Sequence, residues 1–167
     1  LKFADLPKGK TVVQELLKTN GVENASLTDF SFKSGISNIA MLPEGAAENE
    51  ITSQSVIAID ENFLSTFQIE LAAGRNFSPQ FPTDDTAGFI VNEAAVKTFG
   101  WKTAKDAIGK KIDWGLGKKG QVVGVVKDFN FRSLHSQVAP LIIHIYPEWT
   151  RYVAVRIKAS NVSETLK

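Results

Sequence analysis

The chain has 167 residues, a formal net charge of +1, 43% hydrophobic and 22% charged residues, and no cysteine. That size suits one ordinary domain or two small subdomains sharing a core, and the balance of apolar and charged residues argues against disorder. The near-zero charge lacks the footprint of a nucleic-acid binder, the missing cysteine removes disulfides and thiolate chemistry, and no apolar run approaches the roughly 20 residues that span a bilayer.

The first residues, LKFADLPKGK, carry no long apolar stretch and do not read as a signal peptide. Thr11 to Asn20 reads as a helix: Val12, Val13, Leu16 and Leu17 fall at helical spacing, and Asn20-Gly21 supplies a left-handed stop. Strands are expected over Val22–Phe32, Asn38–Leu42 and Thr52–Ile59, with a Glu- and Ala-rich loop from Pro43 to Glu50. Asp60 is placed to cap a short helix over Glu61–Phe67 that buries Phe63, Leu64 and Phe67. From Leu71 to Gly88 the glycines and prolines predict a loop anchored by phenylalanines. A short strand at Phe89–Val91 then leads into a helix capped by Asn92 and closed by Gly100, followed by a second short helix over Thr103–Ile108. Lys111–Trp114 and Gln121–Asp128 read as strands flanking a glycine-rich turn, and Leu141–Tyr146 and Tyr152–Lys158 as the last two strands. Asn161 and Glu164 fit the start of a further helix, so a piece of a longer protein is expected. The fold class that follows is α+β, a mixed sheet with short helices.

Several residues invite a chemical reading. Asp128, Ser133 and His135 supply the letters of a hydrolytic triad, but triads draw on separated segments, and Ser133 lacks a G-x-S-x-G turn. A structural corner is expected instead, with Phe129 and Phe131 on one face and Asp128 bonded to backbone. Gly115 to Gly120 matches G-x-G-x-x-G, yet a strand follows it where a dinucleotide site requires a helix, so no cofactor is indicated. His135 and His144 make a poor metal site, and the alternation of Ile142-Ile-His-Ile-Tyr places His144 on the less buried face. Asp84-Asp85 lacks the spaced oxygens of a calcium loop and reads as surface or turn. Trp101, Trp114, Trp149 and Tyr152 lie at turns or strand ends, where such rings either mark a binding surface or cap the edges of a core.

Taken in order, "VIAIDENFLSTFQIELAAGRNFS", "FIVNEAAVKTFGW", "DAIGKKI", "GQVVGVVKDFNFRSLHSQVAPLII" and "YVAVRIKASNVSETL" resemble the MacB-like periplasmic core domain of FtsX/MacB-type ABC transporter permeases. The resemblance implies a non-enzymatic, cofactor-free domain facing the periplasm, set between membrane helices of a permease in the inner membrane. It implies a porter-like β-α-β layer from residues 1–67 and 140–167, carrying an inserted sabre-like lobe over residues 68–139. The partners implied are the permease's own transmembrane helices, a separate cytoplasmic ATPase, and a periplasmic adaptor or second permease copy. No nucleic acid is implied. Candidate partner contacts on the loops of the lobe are Arg75, Asn76, Phe81 and Trp114. A soluble ligand- or peptide-binding module is the alternative, distinguished by a well-formed concave pocket.

Overall fold

A computed structural model describes residues 6–31, 35–46, 51–114, 118–132 and 137–159. Its helices are α1 (Leu6–Leu16), α2 (Phe63–Phe67), α3 (Asp84–Ala87), α4 (Glu93–Thr98) and α5 (Ala104–Ala107). Its strands are β1 (Val22–Thr28), β2 (Ser37–Pro43), β3 (Thr52–Ile59), β4 (Leu71–Gly74), β5 (Gly88–Asn92), β6 (Lys111–Trp114), β7 (Lys118–Val126), β8 (Leu141–Ile145) and β9 (Tyr152–Ile157). A single 3₁₀ turn, Pro147–Trp149, separates the last two strands. The class is α+β with a mixed sheet, as the sequence implies.

All nine strands belong to one sheet, and β2 closes part of it on itself. The first half of β2 pairs antiparallel with β3, from Ser37 opposite Val56 to Met41 opposite Thr52. Its second half pairs antiparallel with β6, from Met41 opposite Trp114 to Pro43 opposite Ile112. The circuit continues from β6 to β7, parallel to β5, antiparallel to β8, and parallel back to β3. Six strands therefore form a ring, and closure removes the unpaired edges that an open sheet would present. Outside the ring, β1 meets β3 at Thr28 opposite Ile59 and pairs along its length with β9. β4 adds antiparallel to the upper half of β7.

The two faces of the ring bury separate cores. Met41, Val56, Phe89, Val91, Ile112, Trp114, Val122 and Ile142 fill the enclosed side, where α4, α5 and Trp101 add to them. Alternate residues Ile57, Ile59, Ile90, Val126 and Ile143 point outward and are covered by Phe63 and Leu64 of α2 with Phe30, Phe77 and Phe131. Strands covered on both sides lose the polar alternation of a one-sided sheet, which is why Phe89–Val91 and Ile142–Ile143 are continuously apolar. A third, smaller cluster ties α1 to the outer strands through Val13, Ala25, Leu27 and Val153.

Local chemistry departs from the sequence expectations at four places. α1 starts earlier than Thr11, because Pro7 falls in its first turn, where a missing N–H has no intrahelical partner to lose. α2 starts at Phe63 rather than Glu61, after Asn62, whose side chain makes no capping bond. Asp60 is instead a buried junction: its carboxylate accepts from Ser26 Oγ at 2.7 Å, Leu27 N at 2.7 Å and Asn62 N at 3.1 Å, and burial raises its pKa. The expected loop between Leu71 and Gly88 contains β4 and the single turn α3. Neither is long enough to be stable alone, and both exist because β7 offers a pairing edge and Arg75 a partner for Asp84. Asn92 caps α4 as expected, accepting from Ala95 N at 3.0 Å, and also holds the start of β8 by accepting from Leu141 N at 2.9 Å and donating to Ala139 O at 3.0 Å.

Candidate functional site

Arg75 follows β4 and leans over α3. Its Nη1 and Nη2 donate to the two carboxylate oxygens of Asp84 at 2.6 and 2.8 Å, and Nη1 also donates to Asn76 O at 3.0 Å. The Asp84 side chain is 3% exposed and the Arg75 side chain 35% exposed, so the pair spans from interior to surface. Asp84 also accepts from Ser78 N at 3.0 Å, which pins the intervening loop. The pairing raises the pKa of Arg75 further. Asp84 is thus a buried anchor rather than the surface or turn residue its sequence suggests; a fork of two charge-assisted bonds compensates its desolvation.

The exposed ring of Phe81 stacks on this anchor, with Arg75 Cζ 3.7 Å from its centroid. Asn76 donates to Glu61 O at 2.9 Å, joining the loop after β4 to the start of α2. Three of the four sequence candidates, Arg75, Asn76 and Phe81, therefore sit together, with Phe81 the outermost. Beside them lies a groove of about 650 Å³ reaching across to Lys111, Asp113 and Lys119 of the β6–β7 hairpin. Two opposite-charge pairs line it, Arg75 with Asp84 and Lys119 with Asp113 at 2.7 Å.

Trp114 is placed differently from the expectation. It ends β6, the strand expected over Lys111–Trp114, but is only 1% exposed. Its ring meets His144 of β8 across the inside of the ring, with centroids 4.4 Å apart and planes nearly perpendicular. Tyr146 and Trp149 pack on the same pair at 5.7 and 5.5 Å from Trp114. His144 is fully buried, not on a less covered face, because ring closure makes that face an interior. Trp101 is buried as well, its Nε1 donating to Glu44 O at 3.1 Å. Trp101 thus fills the role of an amphipathic aromatic whose one edge needs a polar contact, while Trp114 sits wholly within the core.

The corner after β7 behaves as structure. Asp128 Oδ1 accepts from Ala94 N at 3.0 Å in the first turn of α4, and Asp128 N donates to Glu93 at 3.2 Å. Phe129 and Phe131 share one face, centroids 5.7 Å apart, against the α2 side of the sheet. Ser133, His135, the glycines at 115 and 117, and the helix expected from Asn161 lie outside the described residues. Among the described residues, no three His, Asp or Glu side chains gather in a metal-binding group.

A second recess, of about 370 Å³, opens between the segment after β1 and the turn before β9. Asp29, Ile36 and Ser37 form one wall, and Trp149, Arg151 and Tyr152 the other. Asp29 Oδ1 accepts from Ala58 N at 2.9 Å. Burial pushes its carboxyl up to about 6, although the Ala58 amide and the Arg151 charge both oppose the shift. Sequence reasoning passed over this site, because Asp29 and Arg151 are 122 positions apart and only β1–β9 pairing brings them together.

The family model of the MacB-like periplasmic core domain matches residues 10–166. The chain belongs to that family. Three solved structures share its fold at low identity. The periplasmic region of MacB from Actinobacillus actinomycetemcomitans aligns with a TM-score of 0.66 at 15% identity, over 99% of this chain and 72% of that one. The extracellular domain of the noncanonic ABC-type transporter YknZ from Gram-positive bacteria gives 0.65 at 14% identity, over 94% and 77%. A domain of a putative permease from Porphyromonas gingivalis gives 0.60 at 19% identity, over 89% and 66%. No curated protein sequence matches. Membership makes this a periplasmic or extracellular domain of a MacB/FtsX-type ABC transporter permease, and implies a membrane-spanning permease and an ATPase beside it. No helix among the described residues is long and apolar enough to cross a membrane.

Proposed function

We propose that this MacB-like periplasmic core domain is a stiff, non-enzymatic lever on an inner-membrane permease, passing ATP-driven motion of membrane helices to a periplasmic partner or cargo. The carrying observation is the packing of α1 on β1 and β9. Val13 seats α1 against Ala25, Leu27 and Val153, and Lys158 N donates to Gly21 O at 2.9 Å where α1 hands over to β1. β9 therefore ends at the level where α1 ends. The chain therefore enters and leaves the outer sheet beside the end of α1. Val12 and Leu16 of α1 pack on the same cluster, and Leu17, just past the helix, is exposed. Motion arriving through α1 would so be passed to the outer sheet.

At the other end, the segment over residues 68–139 acts as the sabre-like lobe on a porter-like layer, and Phe81, with the outer part of Arg75 and Asn76, contacts the adaptor or a second permease copy. An aromatic ring backed by a fixed guanidinium loses little side-chain freedom on contact, which suits an anchor.

These 167 residues hold no cysteine, so labels in this domain go only where they are placed once cysteines elsewhere in the assembly are replaced. Labels at Lys18 and Lys119, in the full permease with its ATPase in nanodiscs, report distances within and between domain copies. The within-domain distance should stay constant through the nucleotide cycle while the distance between copies changes. A within-domain change, or no change between copies during transport, would sink the lever.

A further inference from the structure

The recess between β1 and β9 holds two opposite charges, Asp29 and Arg151, that face one space without closing into an ion pair with each other. In the groove beside Phe81, by contrast, opposite charges meet: Arg75 with Asp84 at 2.6 Å and Lys119 with Asp113 at 2.7 Å. Asp29 has a structural bond, from Ala58 N at 2.9 Å, but a neutral Asn oxygen would accept that bond equally well. The negative charge is therefore surplus to the fold. Arg151 is exposed, its backbone N donating to Thr28 O at 3.1 Å, which fixes where its side chain leaves the sheet. Ile36, Trp149 and Tyr152 add apolar and aromatic lining to the same recess, and Ser37 a hydroxyl. The volume, about 370 Å³, is within the range of small-molecule sites.

We infer that this recess binds a small zwitterion, a free amino acid or dipeptide with an apolar side chain, whose ammonium meets Asp29 and whose carboxylate meets Arg151. Trp149, Tyr152 and Ile36 take the side chain. The guanidinium offers a planar fork suited to a carboxylate, and the indole face adds attraction for the ammonium. A purely cationic ligand would face Arg151 unpaired, and a purely anionic one would face Asp29. The site stands apart from the lever reading and survives its failure.

Calorimetric titration of the 167-residue chain at pH 7.5 tests this with four probes: L-phenylalanine, glycyl-phenylalanine, N-acetyl-phenylalanine and phenylalanine amide. Saturable binding of either zwitterion, at least tenfold tighter than both charge-blocked probes, is the expected result; which zwitterion binds more tightly separates amino acid from dipeptide. Asp29→Asn should erase the preference for the free ammonium but keep that for the carboxylate, and Arg151→Gln should do the reverse. Both changes leave the backbone bonds of the recess in place. No saturable binding by either zwitterion overturns the assignment, as does binding whose charge preferences survive both substitutions.

Discussion

Asp84 receives both prongs of the Arg75 guanidinium while lying 3% exposed beneath it, and the loop carrying Phe81 is wrapped around that pair. Removing the carboxylate strands Ser78 N and leaves Arg75 to rehydrate from its exposed side. Asp84→Ala should destabilise the chain by about 2–3 kcal/mol, below the full penalty of breaking a wholly buried pair. Arg75→Lys keeps the charge and loses the fork, and should cost about 1–2 kcal/mol. Urea unfolding of the two variants ranks them; no loss in Arg75→Lys would mean that charge alone, not geometry, holds the loop.

Phe81 and Trp114 should respond in opposite ways to truncation. Trp114 packs on Phe89, His144, Tyr146 and Trp149 inside the ring, and Trp114→Ala should cost about 3–5 kcal/mol. Phe81 is 45% exposed, and Phe81→Ala should cost less than about 1 kcal/mol while weakening partner binding in the assembled permease. Chemical denaturation and pull-down from the full complex give the two readouts.

Gly74 has φ +72°, and a β-carbon there would lie 2.4 Å from Val123 O and 2.9 Å from Gly124 Cα. Both the left-handed backbone and the close approach of β4 to β7 exclude a side chain. Gly74→Ala should lower stability by about 3 kcal/mol or more, read as a drop in Tm. A fall of under 1 kcal/mol would mean that β4 shifts freely along β7.

The Asp29 carboxyl carries a pH signature. Its pKa rises from an ordinary 3.8 to about 6 on folding, mainly through burial. A raised carboxylate pKa means that ionisation opposes folding: the cost is absent below pH 3.8, grows through the interval, and is complete above about 6. Its ceiling is about 3 kcal/mol, and the part-open recess reduces it. Asp29→Asn should therefore stabilise the chain at pH 7.5 by on the order of 2 kcal/mol and leave it unchanged near pH 3.5. Equal effects at both pH values would place the cause in packing, not charge.

How far the sequence led depended on the range over which each residue's partner lies. Asn92 was legible because its first partner, Ala95 N, is three residues on; its hold on Leu141 N and Ala139 O was not, since those lie almost fifty positions away. The strand over Thr52–Ile59 stood out by composition, whereas β4 had only four residues and took its conformation from β7. Trp114 and His144 misled for one reason: alternation tells which face a residue is on, but not that the sheet curls until that face is enclosed. Asp84 looked like loop punctuation because Arg75, nine residues earlier, gives no pattern in local periodicity. Asp29 and Arg151 each look ordinary alone, and only the register of β1 against β9 joins them.

β2 works as a clasp, its leading half fastened to β3 and its trailing half to β6. A hoop fastened in this way has no seam along which the segment carrying Phe81 could swing clear of β2, β3 and β8. Bending it there would mean unfastening the ladder at Met41–Pro43 and opening the aromatic plug behind Trp114. The least costly movement left to the hoop itself is therefore to turn as a whole.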